Sequence, residues 1–148
     1  MSRRVKKEKV HNPKRRYEYA LKHLNASSIL DGNKKHIEKF AKSCMAEGIG
    51  KLRITKYIYT LTKISGMLKK DFYEANKEDI ERIIYEIEES DLSEWSKHDY
   101  KATLKNFTGR QVNCKNHNFD LLHAKSVLGF GSIVIAAIDN NTPEQQVN

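Results

Sequence analysis

Only two prolines and seven glycines interrupt 148 residues. Such a scarcity of turn-forming residues between long charged and apolar runs argues for helices. The two cysteines, Cys44 and Cys114, lie far apart, and the basic N-terminus lacks the apolar run of a secretory signal. A structural disulfide is therefore not expected, and a reducing, cytoplasmic setting is. No stretch reaches the ~20 apolar residues of a spanning helix, so no membrane partner is expected. One absence is local. Residues 51–70, KLRITKYIYTLTKISGMLKK, contain no Asp or Glu.

That stretch organises the chain. Ile54, Ile58, Leu61, Ser65 and Leu68 recur at three- and four-residue steps, which places them on one face of a helix. Arg53, Lys56, Thr60, Lys63, Met67 and Lys70 form a second, basic register. Solvated helix faces usually mix Glu with Lys, because opposite charges one turn apart stabilise a helix and like charges oppose it. An unmixed basic stripe fits a polyanionic partner better than water alone. The charge is also uneven along the chain. Residues 1–70 carry 19 Lys/Arg against 5 Asp/Glu, residues 71–107 carry 5 against 11, and residues 108–148 carry 3 of each. Such polarity favours a polyanion docking on one side.

The length suits one domain of about 100–150 residues. Residues 1–12, with six basic residues (His11 included) and one acid, read as a flexible arm that folds over phosphates or as a solubilising tail. Asn12-Pro13 is a helix start, with Asn as N-cap and Pro at the first helical position. Tyr17, Ala20, Leu21 and Leu24 mark one face of that first helix. A second begins after Asp31-Gly32, buries Ile37, Phe40, Ala41 and Cys44, and closes at Gly48. After the central helix, residues 71–76 form a turn. Asn76 caps a fourth helix with Ile80, Ile83, Ile84 and Ile87 inward and Glu81, Glu86, Glu88 and Glu89 on a solvated exterior. Ser93 caps a fifth, SEWSKHDYKATLKNF, in which Trp95, Tyr100, Leu104 and Phe107 can pack inward. Its Lys97, Lys101 and Lys105 form a second basic ridge, with Ser96 near the helix start suited to phosphate contact.

From Thr108 the charge density falls, and residues 108–148 read as a divergent tail, disordered or loosely packed. Its apolar run at residues 132–138 is compatible with a strand or a further helix. Cys114, His117 and His123 are metal-capable, but a Cys-x2-His with one more His lacks a second well-spaced pair, so no metal is expected. GFGS is not followed by Lys-Ser/Thr and is not a phosphate loop, so no cofactor is expected. The fold class is thus all-α, a small bundle of four to five helices over residues 13–107.

Those residues resemble the N-terminal core-binding (SAM-like) domain of tyrosine recombinases, the phage-integrase family, in particular archaeal integrase-related proteins. The resemblance is carried by Asn33, Ile37-x2-Phe40, Gly48-Ile49-x3-Arg53-Ile54-x-Lys56-Tyr57-Ile58-x2-Leu61, Lys70-Asp71-Phe72 and Asp79-Ile80. Its most specific piece is Ser93-x-Trp95-Ser96-Lys97-x-Asp99-Tyr100-x3-Leu104-Lys105-x-Phe107. The resemblance implies a helical bundle that lies across duplex DNA, with the third and fifth helices approaching it. Arg53, Lys56, Lys63, Ser96, Lys97, Lys101 and Lys105 are then the expected DNA-binding residues. Double-stranded DNA is the expected partner, with a full-length recombinase or a second copy on an adjacent site as further ones.

The resemblance stops where catalysis would begin. The family's catalytic domain supplies an Arg, a Lys, a His-x-x-Arg, a further His or Trp, and a nucleophilic Tyr. Here no His-x-x-Arg occurs, and after Phe107 there is one arginine, Arg110, and no tyrosine. Strand cleavage by this polypeptide is not expected, and the chain reads as a truncated or frame-shifted integrase or as a stand-alone binding domain. A different class of function, a helical protein–protein module with incidental lysines, is kept open by the apolar run at residues 132–138.

Overall fold

A computed structural model describes residues 12–112. Most of the expected basic arm, the candidate metal residues Cys114, His117 and His123, and the apolar run at 132–138 lie outside the described residues. Five α-helices follow in order: α1 (Pro13–Ala26), α2 (Asp31–Ala46), α3 (Lys51–Leu68), α4 (Lys77–Glu88) and α5 (Glu94–Val112), with a short 3-10 helix (Phe72–Glu74) before α4. Among the described residues there is no strand, and no helix is long and apolar enough to cross a membrane.

The helix ends follow from local chemistry. The Asn12 side chain accepts from the backbone N–H of Lys14 and Arg15 at 3.1 and 3.3 Å, with Pro13 at the first helical position. α2 begins earlier than the Asp31-Gly32 punctuation suggests. Asp31 is its first residue, an acid placed where the helix dipole favours it and paired with Lys34 at 3.4 Å. Its far end is a Schellman turn: Gly48 at φ +83° donates to the Met45 carbonyl, and Ile49 donates to that of Cys44. At α4, Asn76 and Asp79 form a reciprocal capping box, each side chain accepting the other's backbone N–H at 3.0 Å.

The helices fall into two compact units that divide between Lys69 and Lys70. In the first, α3 is the central helix and packs against both α1 and α2. Ala20, Leu24, Ile37, Phe40, Ala41, Cys44, Ile54, Ile58, Leu61, Ile64 and Leu68 are buried there. Cys44 is a free, fully buried thiol, as its place on the apolar face suggested. In the second unit α4 packs on α5 over Phe72, Ile80, Ile83, Ile87, Leu104 and Phe107, and the rings of Phe72 and Phe107 lie 4.7 Å apart at 55°.

The readings of Trp95, Ile84 and the end of the bundle change. Trp95, expected to pack inward, is 73% exposed, its ring stacked on His98 at 6.1 Å. It stands in the first turn of α5, ahead of Thr103, Leu104, Phe107 and Thr108, which carry that helix's burial. Ile84 is half-buried, not a core residue. The bundle does not stop at Phe107: α5 continues to Val112 and Thr108 is buried. The Thr108 hydroxyl donates to the Lys105 carbonyl at 3.0 Å, so the Thr-Gly step is absorbed into the last helical turns.

Candidate nucleic-acid interface

Because two helices flank α3, they cover most of its circumference. Half of its eighteen residues are buried, Thr55, Thr60, Thr62 and Ser65 among them. What stays exposed is a narrow stripe: Leu52, Arg53, Lys56, Tyr59, Lys63 and Gly66. Three of the expected DNA-binding residues, Arg53, Lys56 and Lys63, lie on it. Thr60, placed by spacing in the basic register, is 6% exposed; Tyr59 takes its place in the stripe. Lys70 also leaves the register. It follows the helix end, where Lys69 adopts φ +59°, and its ammonium donates to Asp79 at 2.8 Å.

α1 adds cations to the same unit. Its exposed side carries Lys14, Arg15, Arg16, Tyr19, Lys22 and His23, with Glu18 among them. The Arg15 guanidinium lies 5.5 Å from the Tyr19 ring centroid and donates to the Tyr19 hydroxyl at 3.4 Å, while the Lys22 ammonium lies 5.8 Å from the ring. Donation from Arg15, and its charge, hold the Tyr19 phenol below its ordinary range. His23 joins the two helices: its ring meets Tyr59 of α3 at 5.1 Å and 58°. Sequence reading had passed over α1 as a source of charge. The signal was present, since Arg15, Tyr19 and Lys22 follow one another at helical steps opposite Ala20 and Leu24.

The other four expected residues belong to the second unit and are engaged within it. Ser96 is part of the α5 cap, its backbone N–H donating to the Ser93 hydroxyl at 3.2 Å. Lys97 donates to the Glu88 carbonyl at 2.8 Å and to the Glu94 carboxylate at 3.4 Å; its side chain is 12% exposed. Lys101 donates to the Glu88 carboxylate, and this hydrogen bond, with the charge of Lys101 and then Lys97, holds the Glu88 carboxyl below its usual range. Lys105 is half-buried. The carboxylates of α4 are thus not a merely solvated exterior. Glu88 ties α4 to α5, Glu81 pairs with Lys77 at 3.7 Å, and Glu86 pairs with Arg82 at 3.0 Å.

The two units therefore differ electrostatically. Residues 12–69 carry 13 Lys/Arg and 4 Asp/Glu; residues 70–112 carry 7 and 11. The first presents a field that attracts polyanions, while the second uses its lysines largely to neutralise its own carboxylates. Compared with protein-family models, curated proteins and solved structures, the chain matches none.

Proposed function

We propose that this protein is a non-catalytic DNA-binding module, similar to the core-binding domain of tyrosine recombinases, that contacts duplex DNA chiefly through its first unit. The observation that carries the reading is the exposed stripe of α3. It holds Arg53, Lys56 and Lys63 on a helix without a single carboxylate, beside the basic side of α1. Arg53 suits bidentate phosphate contact, and the lysines act as point charges. A role in DNA integration or recombination is what the resemblance implies for such a module.

The test is the salt dependence of duplex binding. Each neutralised phosphate contributes about −0.9 to the slope of log K against log salt. Lys56→Ala with Lys63→Ala should flatten the slope by roughly two units with little change in melting temperature. Glu81→Ala with Glu86→Ala should leave it unflattened. An unchanged slope in the lysine variant removes α3 from the interface, and absence of duplex binding at low salt overturns the assignment.

A second reading, a protein–protein module, is favoured by the exposure of Trp95 (73%) and Tyr85 (66%) in the second unit. A pull-down whose partner is lost on Trp95→Ala, in a protein that fails to bind DNA, would select it.

A further inference from the structure

The first unit leaves its aromatic rings where its cations are. Tyr19 on α1 is 51% exposed and Tyr59 on α3 is 37% exposed. His23 spans from α1 to the Tyr59 ring. Arg15 and Lys22 lie within 6 Å of the Tyr19 ring centroid, and Lys56 and Lys63 stand one turn before and one turn after Tyr59 on the same exposed stripe. A surface that meets only the phosphates of a closed duplex uses cations and hydrogen-bond donors, a tyrosine hydroxyl included, and leaves the flat face of an exposed ring without a partner. Rings interleaved with cations are what unpaired nucleotides require, because every base has a flat face to stack and every linkage a charge to neutralise.

α2 runs antiparallel to α3, since Asn33 meets Ser65 and Phe40 meets Tyr57. The last residues of α1 lie by the first turn of α2, with Lys34 donating to the Asn25 carbonyl. The exposed sides of α1 and α3 meet at the His23–Tyr59 contact.

We infer that the α1–α3 face binds unpaired nucleotides, with bases stacking on Tyr19 and Tyr59 and the intervening phosphates held by Arg15, Lys22, Lys56 and Lys63. The inference rests on the reading of this unit as a DNA-binding surface and adds the form of DNA it takes. Stacking makes it sequence-tolerant, and it directs the protein to single-stranded or locally opened sites.

The experiment measures fluorescence anisotropy of the full chain with a labelled oligothymidylate and with a labelled duplex of equal length, at matched salt. The variant is Tyr19→Leu with Tyr59→Leu, which keeps apolar cover over the helices and removes the stacking faces; Tyr19→Phe with Tyr59→Phe is its partner. Circular-dichroism melts check that each variant folds. The leucine variant should weaken oligothymidylate binding by roughly tenfold or more and change duplex affinity by less than about threefold, and the phenylalanine variant should retain both. Equal weakening of both ligands, or no weakening of either, overturns the stacking role. Should the leucine pair fail to fold, Tyr59→Leu alone decides by the same comparison. An intact chain that binds duplex and not oligothymidylate overturns this inference and leaves the proposed function standing; one that binds neither overturns both.

Discussion

Asn33 on α2 donates its side-chain amide to the hydroxyl of Ser65 on α3 across 2.8 Å, with both residues buried. A polar pair inside an apolar interface costs desolvation that only a well-made hydrogen bond offsets. In return it fixes which turn of α2 meets which turn of α3, a choice that Ile and Leu contacts alone leave loose. Ser65→Ala should destabilise the protein by ~1–3 kcal/mol through the bond taken from Asn33, measured by urea unfolding. A neutral result would show that the pair contributes nothing net.

Thr55 is the opposite case. Among the described residues its hydroxyl is the buried side-chain polar atom without a hydrogen-bond partner, whereas Thr62 donates to the Ile58 carbonyl at 2.7 Å. Thr55→Val keeps the shape and removes the unsatisfied oxygen, so it should stabilise by about 1 kcal/mol. Thr62→Val serves as the control and should not stabilise.

Gly66 lies on the exposed stripe inside α3, and a Cβ built there meets nothing within 4 Å. Neither a turn nor close packing in the fold calls for glycine. Gly66→Ala should therefore raise stability by roughly 0.5–1 kcal/mol, the helix-propensity difference, read as an upward shift of the thermal midpoint. If α3 approaches the DNA backbone closely at this turn, the same variant will weaken binding while it stabilises the fold.

The second unit should be acid-sensitive. The Asp79 carboxyl is held below its ordinary range first by the hydrogen bond from Lys70 and then by the backbone N–H of Asn76, and Glu88 is held down by Lys101. A carboxyl depressed in the folded state stabilises it at all pH values above the unfolded pKa, near 4. That contribution is lost as pH falls through the folded pKa. Melting temperature should thus fall below pH ~4, and Asp79→Asn should lower it at pH 7 while converging on the parent protein once acid has protonated the Asp79 carboxyl. Parallel curves across the whole range would show that Asp79 does not carry this dependence.

Lys97 and Lys101 should affect DNA binding less than Lys56 and Lys63. The Lys97 and Lys101 side chains are only 12% and 23% exposed, whereas Lys56 and Lys63 stand on the exposed stripe of α3. Lys97→Ala with Lys101→Ala is expected to lower thermal stability and to change the salt slope by well under the roughly two units expected for Lys56→Ala with Lys63→Ala. An equal slope change for the two pairs would restore α5 as a full partner in the interface.

What the sequence determined by itself is local. Asn12-Pro13, Gly48 and Asn76 act on the backbone groups of their own turns, so caps and helix ends could be read from them directly. The apolar faces of α2 and α3 followed in the same way, because helical periodicity orders side chains around their own axis. What periodicity does not contain is how many neighbours a helix has. Two helices pack on α3, and that decided that Thr60 is buried and that Tyr59 completes the basic stripe. Position along α5 decided that Trp95 lies ahead of the buried part of its helix. Long charged side chains choose partners through space: Glu88 lies thirteen residues from Lys101 along the chain, beyond any spacing within one helix, and only the packing of α4 on α5 brought them together. The contact of His23 with Tyr59, where the exposed sides of α1 and α3 meet, was likewise decided by tertiary packing alone.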